Sequence, residues 1–256
     1  MSRVVAIPLP PLPDVRPGDD LAALLGAAFA EGSAADPELR PRSGDVLVVT
    51  QKVVSKAEGR IVDLRTIVPR PEAVAFGERW DHDPRQVEVV LRESVRVVRM
   101  DKGVLIGQTR QGFVCANAGV DASNVEDPDH VTLLPEDPDR SAAGLRERLR
   151  EILGVDLAIV VSDSFGRPWR WGITDVALGV AGFLPLDDLR GWPDTSGRTM
   201  RSTVVAVADE IASLADLASG KTSRRPAVLV RGVAVRPGEG SVAGDVVMPA
   251  DADLFR

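Results

Sequence analysis

The chain has 256 residues, 44% of them hydrophobic and 27% charged, with a formal net charge of -7. That size and balance suit one globular unit or two closely joined lobes around a substantial core, and the acidic charge argues against a general nucleic-acid or membrane surface. The single cysteine, Cys115, excludes an internal disulfide; no apolar run approaches the roughly 20 residues of a membrane span, and no basic segment followed by an apolar signal core opens the chain, so the expected location is cytoplasmic.

In chain order, residues 4–7 read as a short strand, and the prolines at 8, 10, 11 and 13 impose an extended path toward Gly18. A helix is expected over 21–30, capped by Asp19 or Asp20 and stopped near Gly32. Val46, Leu47, Val48 and Val49 form the first strongly buried strand, followed by a polar segment with Gln51, Lys52, Ser55 and Lys56. A lysine at the end of an apolar strand meets phosphate as a point charge or simply sits solvated beside a turn, and taken alone the second is favoured. Residues 60–64 return as a strand, and 84–93 form a helix with Val87, Val90 and Leu91 on one face.

Residues 95–100, 104–108 and 113–115 are short β-branched strands, the first two joined by the turn Asp101-Lys102-Gly103. They lead to a loop in which Asp121 lies among small residues that let backbone approach a ligand. His82, His130 and Cys115 have no metal-like spacing and are read as structural. A helix over 141–153 turns Leu145, Leu149, Ile152 and Leu153 inward. The buried strand 158–161 then runs into Ser162, Asp163 and Ser164, and Gly166 and Pro168 hold a bend carrying Arg167, Trp169, Arg170 and Trp171. Carboxylate and hydroxyls at a strand end, followed by two guanidinium groups, suit a metal and an anionic substrate.

Residues 176–180 read as a strand, 187–200 as irregular, and 203–218 as a helix whose Asp209 and Glu210 form a solvated acidic face. Gly220-Lys221-Thr222 resembles the end of a P-loop, but Ala215 stands where its first glycine belongs, and a helix rather than a strand precedes it. A strand over 227–230 follows.

Three stretches in register, GDVLVVTQKVVSKAEG from Gly44, ANAGVDASNV from Ala116 and VVSDSFGRPWRWGITDVALG from Val160, resemble the coenzyme F-420-0:L-glutamate ligase family, also called F-420:γ-glutamyl ligase. The likeness extends from LPDVRPGDDL at Leu12 through VAVADEIA at Val205 and PAVLVRG at Pro226 to the terminal DLFR. It implies a mixed α/β (α+β) fold of unusual topology in an intertwined homodimer, a single ligase domain over 1–256 without the nitroreductase-like domain of some relatives, and GTP-dependent attachment of L-glutamate to a deazaflavin coenzyme precursor. Strand and helix patterning alone supports only a mixed class.

The resemblance further implies Mg²⁺ or Mn²⁺, one ion or two, with K⁺ as a further candidate. Asp121, Asp163 and Ser164 match its metal positions, Ser164 standing where threonine is usual. Leu12, Pro13, Asp14, Val15, Gln51, Lys56, Asn124, Lys221, Thr222 and Ser223 match nucleotide positions, with Gln51 where serine is common. The loop Thr222-Ser223-Arg224-Arg225 replaces one usually richer in glycine and acid. Arg167 and Arg170 are candidates for the substrate's phosphate or carboxylate by the anion argument, and Trp169 and Trp171 either shelve the coenzyme ring or pack the loop, packing being favoured. The alternatives are a related ligase acting on another carboxylic acid and a non-enzymatic nucleotide-binding paralogue.

Overall fold

Three short apolar runs, VLVV, AIVV and AVLV, lie side by side in the centre of the molecule. The computed structural model describes residues 3–123, 127–220 and 223–253. Its elements in chain order are β1 (Val5–Pro8), α1 (Leu21–Ala35), β2 (Val46–Thr50), α2 (Gln51–Ala57), β3 (Ile61–Asp63), α3 (Pro71–Trp80), α4 (Pro84–Glu93), β4 (Ser94–Asp101), β5 (Val104–Thr109) and β6 (Val114–Ala116). Then come β7 (His130–Thr132), α5 (Pro138–Leu153), β8 (Ala158–Arg167), β9 (Arg170–Ala181), β10 (Asp187–Asp188), β11 (Val204–Val205), α6 (Val207–Ser219) and β12 (Ala227–Arg231). The fold is mixed α/β, and no helix of the described residues is long and apolar enough to cross a membrane.

The main sheet has the order β1-β12-β2-β8-β9, with β2 and β8 parallel and the other pairs antiparallel. Leu47, Val49, Ile159, Val161 and Leu229 pack with α1 and α5, while Val46, Val48, Val160, Val228 and Val230 pack with α6. Burial on both faces explains why these strands read as unbroken apolar runs. A second sheet, β4-β5-β6, joins α3 and α4 in a separate cluster built on Leu64, Phe76, Val87, Val90, Leu105 and Val131.

Several sequence expectations change. The first helix runs through Gly32 to Ala35, because Gly32 serves close packing: a Cβ there would lie 2.8 Å from Leu39 Cδ1 and 3.1 Å from Pro10 Cδ. The polar segment after β2 is not a loop; α2 begins at Gln51 without an intervening turn. Helix α3 has no counterpart in the sequence reading, and Ile152, expected inward, is 42% exposed. The expected helix over 203–218 starts only at Val207, preceded by β11.

The largest difference is at the bend expected after Ser164. β8 and β9 instead form a long hairpin whose turn is Pro168-Trp169, with Trp169 at a φ of 56°. Trp169 and Trp171 are 85% and 99% exposed, so they do not pack the core of this chain. The hairpin carries a β-bulge: Val161 pairs with Gly179, but Ser162 pairs with Ala177 and Ser164 with Asp175. Asp209 Oδ1 accepts the Ala177 N–H at 2.9 Å and Asp139 Oδ1 accepts that of Val180 at 2.9 Å, which fixes the bulge from both sides. Asp209 is therefore a half-buried clamp and not part of a solvated acidic face; burial raises its carboxyl pKa.

Candidate active site

β2 and β8 run parallel, and their pairing ends at Thr50 and Ser162, where β2 stops and β8 continues alone with β9. Clefts in α/β sheets form where parallel strands end in this way. Here a cleft of ≈ 950 Å³ opens, with Ser162, Asp163, Ser164 and Asp175 at its base. One wall is Lys52, Val53 and Lys56 of α2; a second is the segment from Asn117 to Ser123 with Asp121; a third is Ser223, Arg224 and Arg225 with Leu12, Pro13, Asp14 and Val15.

The base is a carboxylate cluster with unequal compensation. Asp175, 4% exposed, accepts hydrogen bonds from Ser162 Oγ at 3.0 Å and Ser164 Oγ at 2.6 Å across the hairpin. Asp163 lies one residue out of phase with those two serines. Burial pushes its carboxyl up to about 7, with the negative charges of Asp175 and Asp121 adding to the shift and Lys52 opposing it. Asp121 is placed by an isolated bridge between its backbone and Thr132. Burial would raise its carboxyl as well, but the Lys52 ammonium and the Ser123 donors outweigh burial and hold it below the ordinary carboxylate value. Lys52 Nζ lies 2.7 Å from Asp121 Oδ2 and 2.7 Å from Ser123 Oγ.

This donor set is carboxylate and hydroxyl oxygen, the kind that hard divalent cations take. Cys115 does not join it: the thiol is buried, and burial together with the nearby Asp163 charge pushes it up to about 12. His82 stacks on Phe76 at 5.5 Å, and His130 Nδ1 lies 3.2 Å from Asp127. Among the described residues no three His, Cys, Asp or Glu side chains converge tightly enough to enclose an ion alone. An ion here would draw on Asp163, Ser164 and Asp121 and take its other ligands from water or substrate, as Mg²⁺ commonly does.

Of the residues singled out in the sequence, Leu12, Pro13, Asp14, Val15, Lys56, Asp121, Asp163, Ser164 and Ser223 line this one cleft. Gln51 does not: it is 1% exposed, and its Oε1 accepts the Ser55 hydroxyl at 2.8 Å. Arg167, Trp169 and Arg170 also lie outside the lining, at the hairpin end, where Arg167 Nη2 donates to the Trp171 carbonyl at 2.8 Å. Arg167 lies three residue steps beyond Ser164 along the extended strand, roughly 10 Å. Asn124, Lys221 and Thr222 fall outside the described residues. Sequence reasoning missed Asp175 and Ser123 as site residues and did not place Lys52 in the site; Ser162 was read only as part of the polar strand end. The bulge hides Asp175, since unbroken pairing from Val161–Gly179 would set Val176 opposite Ser164.

A second cavity, ≈ 650 Å³ between α1, α2 and α5, differs in chemistry. Several of its charged groups are already engaged: Arg148 pairs with Asp20 at 3.0 Å and Arg60 with Glu136 at 3.2 Å, and Glu58 accepts the Ser141 hydroxyl at 2.5 Å.

Comparison with known proteins bears on the cleft. The family described as F420-0:gamma-glutamyl ligase matches residues 11–232. The chain belongs to this family. A protein of Methanopyrus kandleri named coenzyme F420:L-glutamate ligase is 47% identical over 227 residues, 88% of this chain and 86% of that one. The proteins of the same name from Methanothermobacter thermautotrophicus and Methanocaldococcus jannaschii are 43% and 38% identical, covering 96% and 83% of this chain and 96% and 85% of their own lengths. The span matched to the F420-0:gamma-glutamyl ligase family includes every wall of the cleft, from Leu12 to Pro226.

Proposed function

We propose that this chain is a GTP-dependent ligase that joins L-glutamate to the carboxylate of a deazaflavin coenzyme precursor, F-420-0, and can extend the product by γ-linked glutamates. The observation that carries the reading is the cleft base itself: the half-buried Asp163 carboxylate without a full complement of counter-charge, facing a rim of Lys56, Arg224 and Arg225, in a member of the F420-0:gamma-glutamyl ligase family. Such a base with a cationic rim suits a nucleotide polyphosphate accompanied by a divalent cation.

In this reading a coenzyme carboxylate oxygen bonds to the γ-phosphorus of GTP as the bond to the bridging oxygen breaks and GDP leaves. The glutamate amine then bonds to the acyl carbon, phosphate leaves, and an amine proton passes to solvent. A bound Mg²⁺ or Mn²⁺ would supply electrostatic stabilisation of the charge on the transferring phosphoryl group. Asp163, Asp121 and the Ser164 hydroxyl would hold that ion; Asp175 keeps the Ser164 hydrogen turned away, so its lone pairs point elsewhere. Lys56, Ser223, Arg224 and Arg225 bind and orient the phosphates, and residues 12–15 close the nucleotide end. No protein nucleophile is required. A homodimer belongs to the same reading and would cover part of the exposed Val95, Val97, Val98 and Val104 surface of β4 and β5.

The test is mass spectrometry of F-420-0 incubated with the protein, GTP, L-glutamate and Mn²⁺. Stepwise glutamyl products with matching GDP release are expected. GTP turnover on a different acid, with F-420-0 unchanged, would redirect the substrate assignment, and absence of nucleotide-dependent product from any acid would end the ligase reading.

A further inference from the structure

Lys52 was no part of the sequence-derived site, yet it is the cation that touches the carboxylate base. It is the second residue of α2, and because that helix starts directly at the end of β2, its Cα is fixed at the cleft rim. Its ammonium lies 2.7 Å from Asp121 Oδ2 and 2.7 Å from Ser123 Oγ. Both oxygens of Asp121 are engaged: Oδ1 accepts the Ser123 N–H at 2.6 Å, and Oδ2 accepts the Ser123 hydroxyl at 3.0 Å as well as Lys52. Among the described residues Lys52 is the one cation in contact with Asp121.

A divalent ion drawn to Asp163 and Asp121 thus meets an ammonium already seated on Asp121. Two positive charges a few ångström apart repel, and the lysine is the more easily moved, being a compact charge on a flexible four-carbon stem. One turn further along α2, Lys56 lines the same wall. An ammonium leaving Asp121 therefore remains over the cleft, where phosphate oxygens would receive it.

We propose that Lys52 is an exchangeable counter-cation: it shares Asp121 with the divalent ion, yields that carboxylate when the ion binds, and moves to the nucleotide phosphates. This rests on the reading of the cleft base as a cation site. Lys52 then couples two binding events. The ion releases the ammonium, and the released ammonium strengthens the hold on phosphate, so each ligand favours the other.

The experiment is lysine acetylation footprinting of the whole protein by mass spectrometry during titration with MnCl2 alone, paired with electron paramagnetic resonance of free Mn²⁺. Labelling of Lys52 should rise several-fold with the Mn²⁺ binding midpoint, while Lys102 on the β4–β5 turn stays constant as the reference; adding GTP should suppress Lys52 labelling again. In K52M, Mn²⁺ alone should bind about tenfold more tightly. Saturable Mn²⁺ binding with flat Lys52 labelling, and no gain of affinity in K52M, would overturn the exchange and leave the cation site standing. Equal and negligible Mn²⁺ binding by the wild type and D163N would remove both the cation site and the exchange.

Discussion

Two carboxylates in this molecule are taken out of water in opposite ways. Glu88 on α4 is 3% exposed and is clasped by two guanidinium groups: Arg70 Nε at 2.8 Å, Arg70 Nη2 at 3.1 Å and Arg92 Nε at 2.7 Å, with the Arg70 N–H at 3.0 Å. Hydrogen bonds from Arg70, joined by Arg92, outweigh burial and hold its carboxyl down to about 2. Asp163 has two further carboxylates for neighbours; the Ser164 backbone N–H and the Lys52 ammonium oppose burial without outweighing it, and the carboxyl is pushed up to about 7. Desolvation acts on both; the partners decide the sign. A charge that the fold satisfies fully ties the residue capping α3 to α4, whereas one left partly unsatisfied is available to a ligand.

This contrast can be broken or sharpened by mutation, starting with the largest expected effect. Asp175→Asn turns an acceptor of two serine hydroxyls into a group that also donates, so ligation should fall about 10- to 100-fold, with a raised metal half-saturation and an unchanged far-UV circular dichroism spectrum. Glu88→Gln removes the ion pairs of Arg70 and Arg92 and should lower stability by about 2 kcal/mol in urea unfolding while leaving turnover per folded molecule intact. Next in size is the pH dependence. Glu88, lowered from 4.5 to about 2, contributes stability that is full above about 4.5 and is lost as pH falls toward 2. Asp163, raised from 3.8 to about 7, does the reverse: the native state binds the extra proton between those values, so its contribution declines as pH rises through that window. Urea midpoints of Glu88→Gln and Asp163→Asn, each compared with wild type across pH 3 to 8, should therefore diverge with opposite slopes. The smallest effect is expected from Asp209→Asn, which weakens the acceptor at the bulge; about 1 kcal/mol is expected, read by thermal melting.

How far the sequence could be read follows from the same physics. The apolar strands, the β4–β5 hairpin and the helix Pro84–Glu93 are local patterns, and the structure has them where the residues indicate. Asp121 and Asp163, each suspected from its own loop but 42 positions apart in the chain, are joined in one site only through the family resemblance, because no spacing rule connects them. Asp175 was illegible because a single bulged residue moves it opposite Ser164, and the amides that fix the bulge are held by Asp139 and Asp209 from distant helices. Gln51 shows the converse. Its match to a nucleotide position of the family pointed to the site, but α2 starts at that residue and turns the side chain into the core against Ser55.

The central claim is that Asp163 trades stability for function while Glu88 does the opposite. It is tested most directly by measuring GTP-dependent ligation at saturating substrate and the urea midpoint side by side in Asp163→Asn. Ligation should fall to background while stability is unchanged or rises by about 1 kcal/mol, since a neutral isostere relieves the crowded carboxylate charge. Near-normal turnover, or an unfolded protein, would contradict the account.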